Sequence, residues 1–169
     1  MNRSTFGIFL NWMGLTGVGV EIGVMKGKNA LDILSCWEGE KLFLIDNWES
    51  RPRYYQTVLD LFKDNKKVEV WKSGSADASK RFGIESLDWV YIDAWHDYKN
   101  LCTDNISWYN KVKKGGIIAG HDYRPDDSES LDKGTYGVKS AVDEFVKILK
   151  VDLHIIDEGK ESTWYFIKE

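Results

Sequence analysis

The residues with chemical potential in this chain are acids and glycines at regular intervals. The stretch Glu21-Ile22-Gly23-Val24-Met25-Lys26-Gly27 sets a carboxylate beside two glycines. Gly23 lets a ligand come close to the backbone, and Gly27 opens the segment that follows. This is not the dinucleotide fingerprint: Gly17-Val18-Gly19 precedes the apolar run, and no G-x-G-x-x-G follows it. A pyrophosphate cradle is therefore disfavoured. Asp46 lies 25 positions after Glu21. A carboxylate there can accept both hydroxyls of a ribose, and it disfavours a 2′-phosphate. Its other reading is a helix cap, although Pro52 opens the next helical segment too far on for that. Further along come Ser73 to Asp77, Asp93, His96 and the pair His121-Asp122. Ser73 to Asp77 can equally cap the helix after it.

These residues gain meaning from the elements that carry them. Apolar periodicity predicts strands at 18–24, 41–46, 67–71, 87–93, 117–120, 151–156 and 163–167. Helices are predicted at 4–13 with Ser4 as cap, 28–37, 52–64, 75–82, 98–112 closed by Gly115-Gly116, and 136–149. Strand and helix alternate five times, which calls for a parallel sheet with helices on both faces. The last two strands follow without a helix between them, so one runs antiparallel. The expected fold is α/β: a doubly wound, Rossmann-like sheet of seven strands, mostly parallel with an antiparallel last strand. Ligands in such sheets sit beyond the carboxyl ends of the strands, where strand order reverses. Those ends are Glu21 and Gly23, Asp46, Ser73 to Ser75, Asp93, and His121-Asp122. All five are polar or glycine, more than a purely structural sheet requires. The segment 123–135 is the one loop long enough to serve as a lid.

At 169 residues the chain is read as a single domain over 1–169. A hydrophobic share of 43% and a charged share of 30% exclude a disordered chain. The formal charge of -4 disfavours a nucleic-acid partner, and the Lys111-Val112-Lys113-Lys114 cluster reads as cations at a helix end. No apolar run nears the roughly 20 residues that span a bilayer, so no membrane partner is expected. Cys36 and Cys102 form neither a framework nor a metal quartet. They read as spectator thiols in a reducing, cytoplasmic setting.

Taken together, the acidic-x-Gly-x-x-x-Gly turn, the acidic second strand end and the antiparallel last strand resemble a class I S-adenosylmethionine-dependent methyltransferase. Tyr91-Ile92-Asp93-Ala94-Trp95-His96-Asp97-Tyr98, Asp104, Trp108, Gly115-Gly116, Gly120-His121-Asp122-Tyr123, Gly137 to Phe145 and Trp164 to Lys168 sharpen the match. They resemble the small "family 24" methyltransferases, related to metal-dependent sugar and natural-product O-methyltransferases. The resemblance implies that Glu21, Gly23 and Gly27 shape the methionine end of a cofactor pocket. It implies Asp46 on the ribose, Ser75-Ala76 beside the adenine, and Asn47 and Trp48 flanking the adenosine, with Trp48 equally readable as a rim aromatic. In the metal-dependent relatives, carboxylates matching Asp93 and Asp122 hold a divalent cation such as Mg²⁺, and a histidine matching His96 removes the acceptor proton. The chemistry is sound: a hydroxyl is a poor nucleophile until it is deprotonated, and a bound cation lowers its pKa. His121 departs from the pattern, because those relatives carry an acid there and a hard cation prefers oxygen.

About 17 residues precede the first predicted strand. An acceptor pocket is then expected from the 123–135 loop, from Trp48 to Tyr55, or from a partner subunit in a homo-oligomer. The leading expectation is methyl transfer to a hydroxyl of a small molecule or sugar. Two others stand beside it: a module of the same fold that binds cofactor or nucleotide without chemistry, and a different α/β enzyme acting on a dinucleotide or nucleotide sugar. The missing phosphate loop weighs against the last, and the polar set Asp93, His96 and Asp122 against the first.

Overall fold

Seven segments rich in β-branched, leucine and aromatic residues pair into one sheet. They are β1 (Val18–Ile22), β2 (Lys41–Asp46), β3 (Val68–Lys72), β4 (Leu87–Ile92), β5 (Val112–Tyr123), β6 (His154–Ile156) and β7 (Ser162–Ile167). They come from a computed structural model, which describes residues 3–124, 136–159 and 162–169. The order across the sheet is β3-β2-β1-β4-β5-β7-β6. Neighbours are parallel from β3 through β5, while β7 runs antiparallel to both β5 and β6. The fold is thus the expected Rossmann-like sheet, with strand order reversing between β1 and β4.

Helices cover both faces. They are α1 (Phe6–Trp12), α2 (Lys28–Leu34), α3 (Arg53–Phe62), α4 (Ser75–Ser79), α5 (Tyr98–Tyr109) and α6 (Val138–Leu149). Alternation along the strands builds two cores. Val20, Ile22, Val90, Ile92 and Ile118 pack with Leu101, Trp108 and Val142 on one face. Leu42, Leu44, Trp89 and Tyr91 pack with Phe6, Leu10, Ile33 and Val58 on the other. Every residue of β4 is buried, as befits a strand covered on both sides.

The structure corrects several details of the sequence reading. Ser4 does not cap α1; a 3-10 turn over Arg3–Thr5 leads in, and Thr5 stands at the cap without a side-chain hydrogen bond. The helix expected to run to 112 stops at Tyr109, and Val112 already pairs with Leu87. Gly115 and Gly116 therefore lie inside β5, where the register shifts between Leu87 and Trp89 and Gly115 adopts φ +74°. The nearby lysines do not end a helix. The Lys111 amine donates to the Phe82 carbonyl, and Lys113 pairs with Asp88 at 2.7 Å. Burial of Val112 against the sheet outweighed helical continuation. The expected 123–135 loop lies almost wholly outside the described residues.

Candidate active site

At the switch point, β1 and β4 part beyond their carboxyl ends and leave a cavity of about 1020 Å³. That is ample for a nucleoside-sized ligand together with a second small molecule. Glu21, Gly23, Asp46, Ser75, Asp93 and His96 all line it. So do Gly74, Ala76, Asn47 and Trp48. Gly27 is not on its wall; it stands at the N-terminal cap of α2 with φ +81° and holds the turn below.

The β1 turn is shaped by close approach. Gly23 has φ +86°, and a Cβ there would sit 2.0 Å from the Asp93 carbonyl oxygen, so only glycine lets the ends of β1 and β4 meet. Met25 and Trp48 also adopt left-handed φ, both at 49°. Such conformations cost free energy and gather where structure serves a site. Asp46 holds this backbone. Its Oδ2 accepts from the Met25 N–H at 2.9 Å and its Oδ1 from the Trp48 N–H at 2.8 Å. It does not cap α3. Each carboxylate oxygen keeps a second lone pair for a ligand. Trp48 is not a rim aromatic: it is 2% exposed, packs on Tyr55, and donates Nε1–H to the Met25 carbonyl. Asn47 accepts from the Glu49 N–H.

Glu21 is buried at the head of the turn. Its Oε1 accepts from Asn29 at 3.2 Å, and its Oε2 has no partner. Burial pushes its pKa up to about 8, against the opposing effects of Asn29 and Arg3. On the opposite wall, Ser75 accepts a hydrogen bond from Trp108 Nε1 at 2.9 Å. Gly74, not a side chain, stands at the cap of α4, so the capping role open to Ser73 to Asp77 is unused. Asp104 lines the cavity beside Ser75, and burial pushes its carboxyl up to about 6.

Just past β4 and near the end of β5, Asp93, His96 and Asp122 bring ligand atoms within 4.8 Å of one another. The backbone at Asp122 is left-handed, φ +61°, at an irregularity in the β5–β7 pairing. That twist aims the carboxylate across to β4. His96 Nε2 lies 2.8 Å from Asp122 Oδ2 and 3.6 Å from Asp93 Oδ1. The contacts are ionic in character, because the ring N–H is not aligned for a hydrogen bond to either. Burial alone would lower the imidazole pKa; Asp122 and Asp93 outweigh it and lift it to about 9. In return both carboxyls are held below the ordinary range despite their burial, Asp122 by His121 and His96, Asp93 by His96 and Arg3. The His96 ring lies parallel to Tyr136, 5.2 Å between centroids. Tyr136 in turn lies under the Arg124 guanidinium at 4.2 Å. His121 stands apart from the cluster. Its Nδ1 is 3.5 Å from Asp122 and its Nε2 3.7 Å from Glu158, with only a tenth of the side chain exposed.

A family model described as a methyltransferase domain matches residues 20–123, well over half of the chain. The chain belongs to the methyltransferase-domain family. The match runs from within β1 to the end of β5 and takes in the carboxyl ends of all five strands. Among solved structures, the methyltransferase domain is similar to an O-methyltransferase from Bacillus cereus in complex with SAH. The two share 15% identity and a TM-score of 0.78, over 98% of this chain and 80% of that one. A candidate caffeoyl-CoA O-methyltransferase from Staphylococcus aureus gives 12% identity and a TM-score of 0.76, over 98% and 82%. A candidate rRNA methylase from Clostridium thermocellum gives 13% and 0.72, over 100% and 98%. At such identities these show the fold alone. No curated protein matches.

Several cavity residues are not foreshadowed by the sequence, and three of them touch the charged groups of the site. Arg3 and Asn29 reach the Glu21–Asp93 end, and Tyr136 buttresses His96. Arg3 precedes any periodic segment, and an isolated basic residue there gives no signal. Asn29 follows the Gly27 turn by two positions, which offered a weak one.

Proposed function

We propose that this methyltransferase domain transfers a methyl group from S-adenosylmethionine to a hydroxyl of a small molecule or sugar. The observation that carries the reading is one cavity lined by Asp46 and by Asp93 and His96, with Asp122 in contact with His96 at 2.8 Å. A carboxylate with free lone pairs at the end of β2 suits a ribose diol, and Ser75-Ala76 suits an adenine edge. The unpartnered Glu21 Oε2 suits an ammonium group at the methionine end.

The cofactor supplies an electrophilic methyl on a sulfonium sulfur. The remaining work falls to the chain's own residues. His96 is placed to take the acceptor proton at Nε2, with Asp122 and Asp93 to hold the imidazolium that results. Tyr136 and the two carboxylates fix the ring plane, so the acceptor meets a base of set orientation. The cluster also fits a divalent cation, since two carboxylate oxygens and one imidazole nitrogen converge there. Such an ion, held by Asp93 and Asp122, would lower the pKa of the acceptor hydroxyl.

Calorimetry with S-adenosylhomocysteine tests the core of the reading. Wild type binds. Asp46→Ala loses about 10–100-fold in affinity, the equivalent of one or two charge-assisted hydrogen bonds. Unchanged affinity in the variant removes Asp46 from the site. Binding without turnover on any hydroxyl acceptor would favour the alternative, a cofactor-holding module.

A further inference from the structure

At the Glu21 end of the cavity, three side chains form a chain of opposite polarities. The Asn29 amide donates its Nδ2–H to Glu21 Oε1 at 3.2 Å and accepts Arg3 Nε–H on its Oδ1 at 2.8 Å. One amide thus holds an acid and a guanidinium side by side. The acid has an oxygen without a partner, buried and next to the cavity. The guanidinium belongs to the 3-10 turn before α1, lies 5.5 Å from the Tyr91 ring centre, and pairs through Nη2 with Asp93. An acid and a guanidinium set together this way match the two ends of an α-amino acid, whose ammonium would favour the ionised form of Glu21 over the protonated form that burial favours. The ammonium goes to the carboxylate, and the carboxylate goes to the planar fork of the arginine.

The other cations on the wall are engaged elsewhere or stand apart from this pair. Lys26 lies over the Tyr54 ring at 5.0 Å, and Arg51 donates to the Met25 sulfur. Lys28 is exposed. Among the described residues, Arg3 is the cation that shares a hydrogen-bonded bridge with Glu21.

We propose that Arg3, positioned by Asn29, is the anchor for the carboxylate of the ligand's amino-acid moiety and sets the preference for a ligand that carries one. The inference rests on the cofactor reading above. It has a consequence for the second half of the site. Arg3 is the counter-ion of Asp93 as the site stands, and a ligand carboxylate competes for the same guanidinium. Occupation of this end therefore loosens the hold on Asp93, one of the residues facing the acceptor.

The test compares two ligands on the full chain by calorimetry: S-adenosylhomocysteine, and 5′-methylthioadenosine, which keeps the adenosine and thioether but lacks the amino acid. Wild type is expected to bind the first more tightly. Arg3→Gln is expected to weaken S-adenosylhomocysteine about 10–100-fold while leaving 5′-methylthioadenosine within about two-fold. Arg3→Lys, which keeps the charge and loses the fork, should fall between. Retained 5′-methylthioadenosine binding also shows that the variant is folded. The proposal is overturned if Arg3→Gln binds S-adenosylhomocysteine like wild type, if it loses both ligands equally, or if wild type does not distinguish them. The cofactor reading survives those three results. Failure of wild type to bind either ligand would overturn both.

Discussion

Two titrations decide how single residues of this site behave. Glu21 is buried with its carboxyl pushed up to about 8. Its pKa in the unfolded chain is near the ordinary 4.5. A folded pKa above the unfolded one means that the contribution to stability is complete below about pH 4.5 and is lost as pH rises through about 8. Chemical denaturation across about pH 5 to 9 should show that decline, on the order of 4 kcal/mol in total. Glu21→Gln should flatten it and be the more stable protein at the alkaline end. An identical slope in the variant would assign the decline to other groups. His96 has the opposite consequence for catalysis. With its pKa near 9 it is an imidazolium at neutral pH and has no lone pair for a proton. Turnover after EDTA treatment should therefore climb as pH rises toward about 9, and His96→Ala should lose that limb. A divalent cation at Asp93 and Asp122 offsets the charges that hold the proton, so added Mg²⁺ or Mn²⁺ should move the limb to lower pH. Superimposable profiles with and without metal would rule out a cation in the cluster.

At the scale of elements, the site is a matter of how closely strand ends approach. Gly23 ends β1 at a left-handed φ and leaves no room for a Cβ beside the Asp93 carbonyl. Gly23→Ala forces β1 and β4 apart and adds backbone strain. A loss of at least about 2–3 kcal/mol is expected, measured by denaturant unfolding. Cofactor affinity should fall with it, because the same turn carries Met25 to Asp46. Wild-type stability in this variant would mean that β1 has slack the structure does not show. The β5 end uses a different device. The register irregularity and left-handed Asp122 rotate one carboxylate across to His96, so β5 delivers chemistry through a local distortion rather than through its regular ladder.

For the whole molecule, binding and folding are coupled. The cavity lies where β1 and β4 diverge, so a ligand there bridges both halves of the sheet and the α2, α4 and α5 ends. At a hundredfold excess over its dissociation constant, a ligand specific for the folded state adds about 2.7 kcal/mol. For a chain of this size that is a rise of roughly 5–10 °C in melting temperature. S-adenosylhomocysteine should produce it in differential scanning calorimetry, and ATP should not. No helix among the described residues is long and apolar enough to cross a membrane. Cys36 and Cys102 are unpaired thiols, and burial raises the Cys102 pKa.

The alternation of apolar runs was enough to determine the sheet, because a strand buried on both faces must read as a continuous apolar segment and its connecting helices as amphipathic ones. It also placed Glu21, Asp46, Asp93 and Asp122 at strand ends, since polar residues there interrupt the apolar pattern. What it did not contain was anything that depends on two distant segments meeting. Val112 belongs to a strand because Leu87 pairs with it, and local helical pattern gives no hint of that. Trp48 is buried by Tyr55 and held by Met25, whereas its neighbours in sequence are polar and suggested a rim. Asp46 ties two backbone amides that lie 23 residues apart, Met25 and Trp48. His96 gains its raised pKa from Asp122 on another strand, and Arg3 finds Asn29 and Asp93 only when the first turn folds over the end of β4. Local periodicity is written in the order of residues, and it set the elements. Electrostatic and steric partnership follows distance in space, and only the packed sheet brings those partners within a few ångströms.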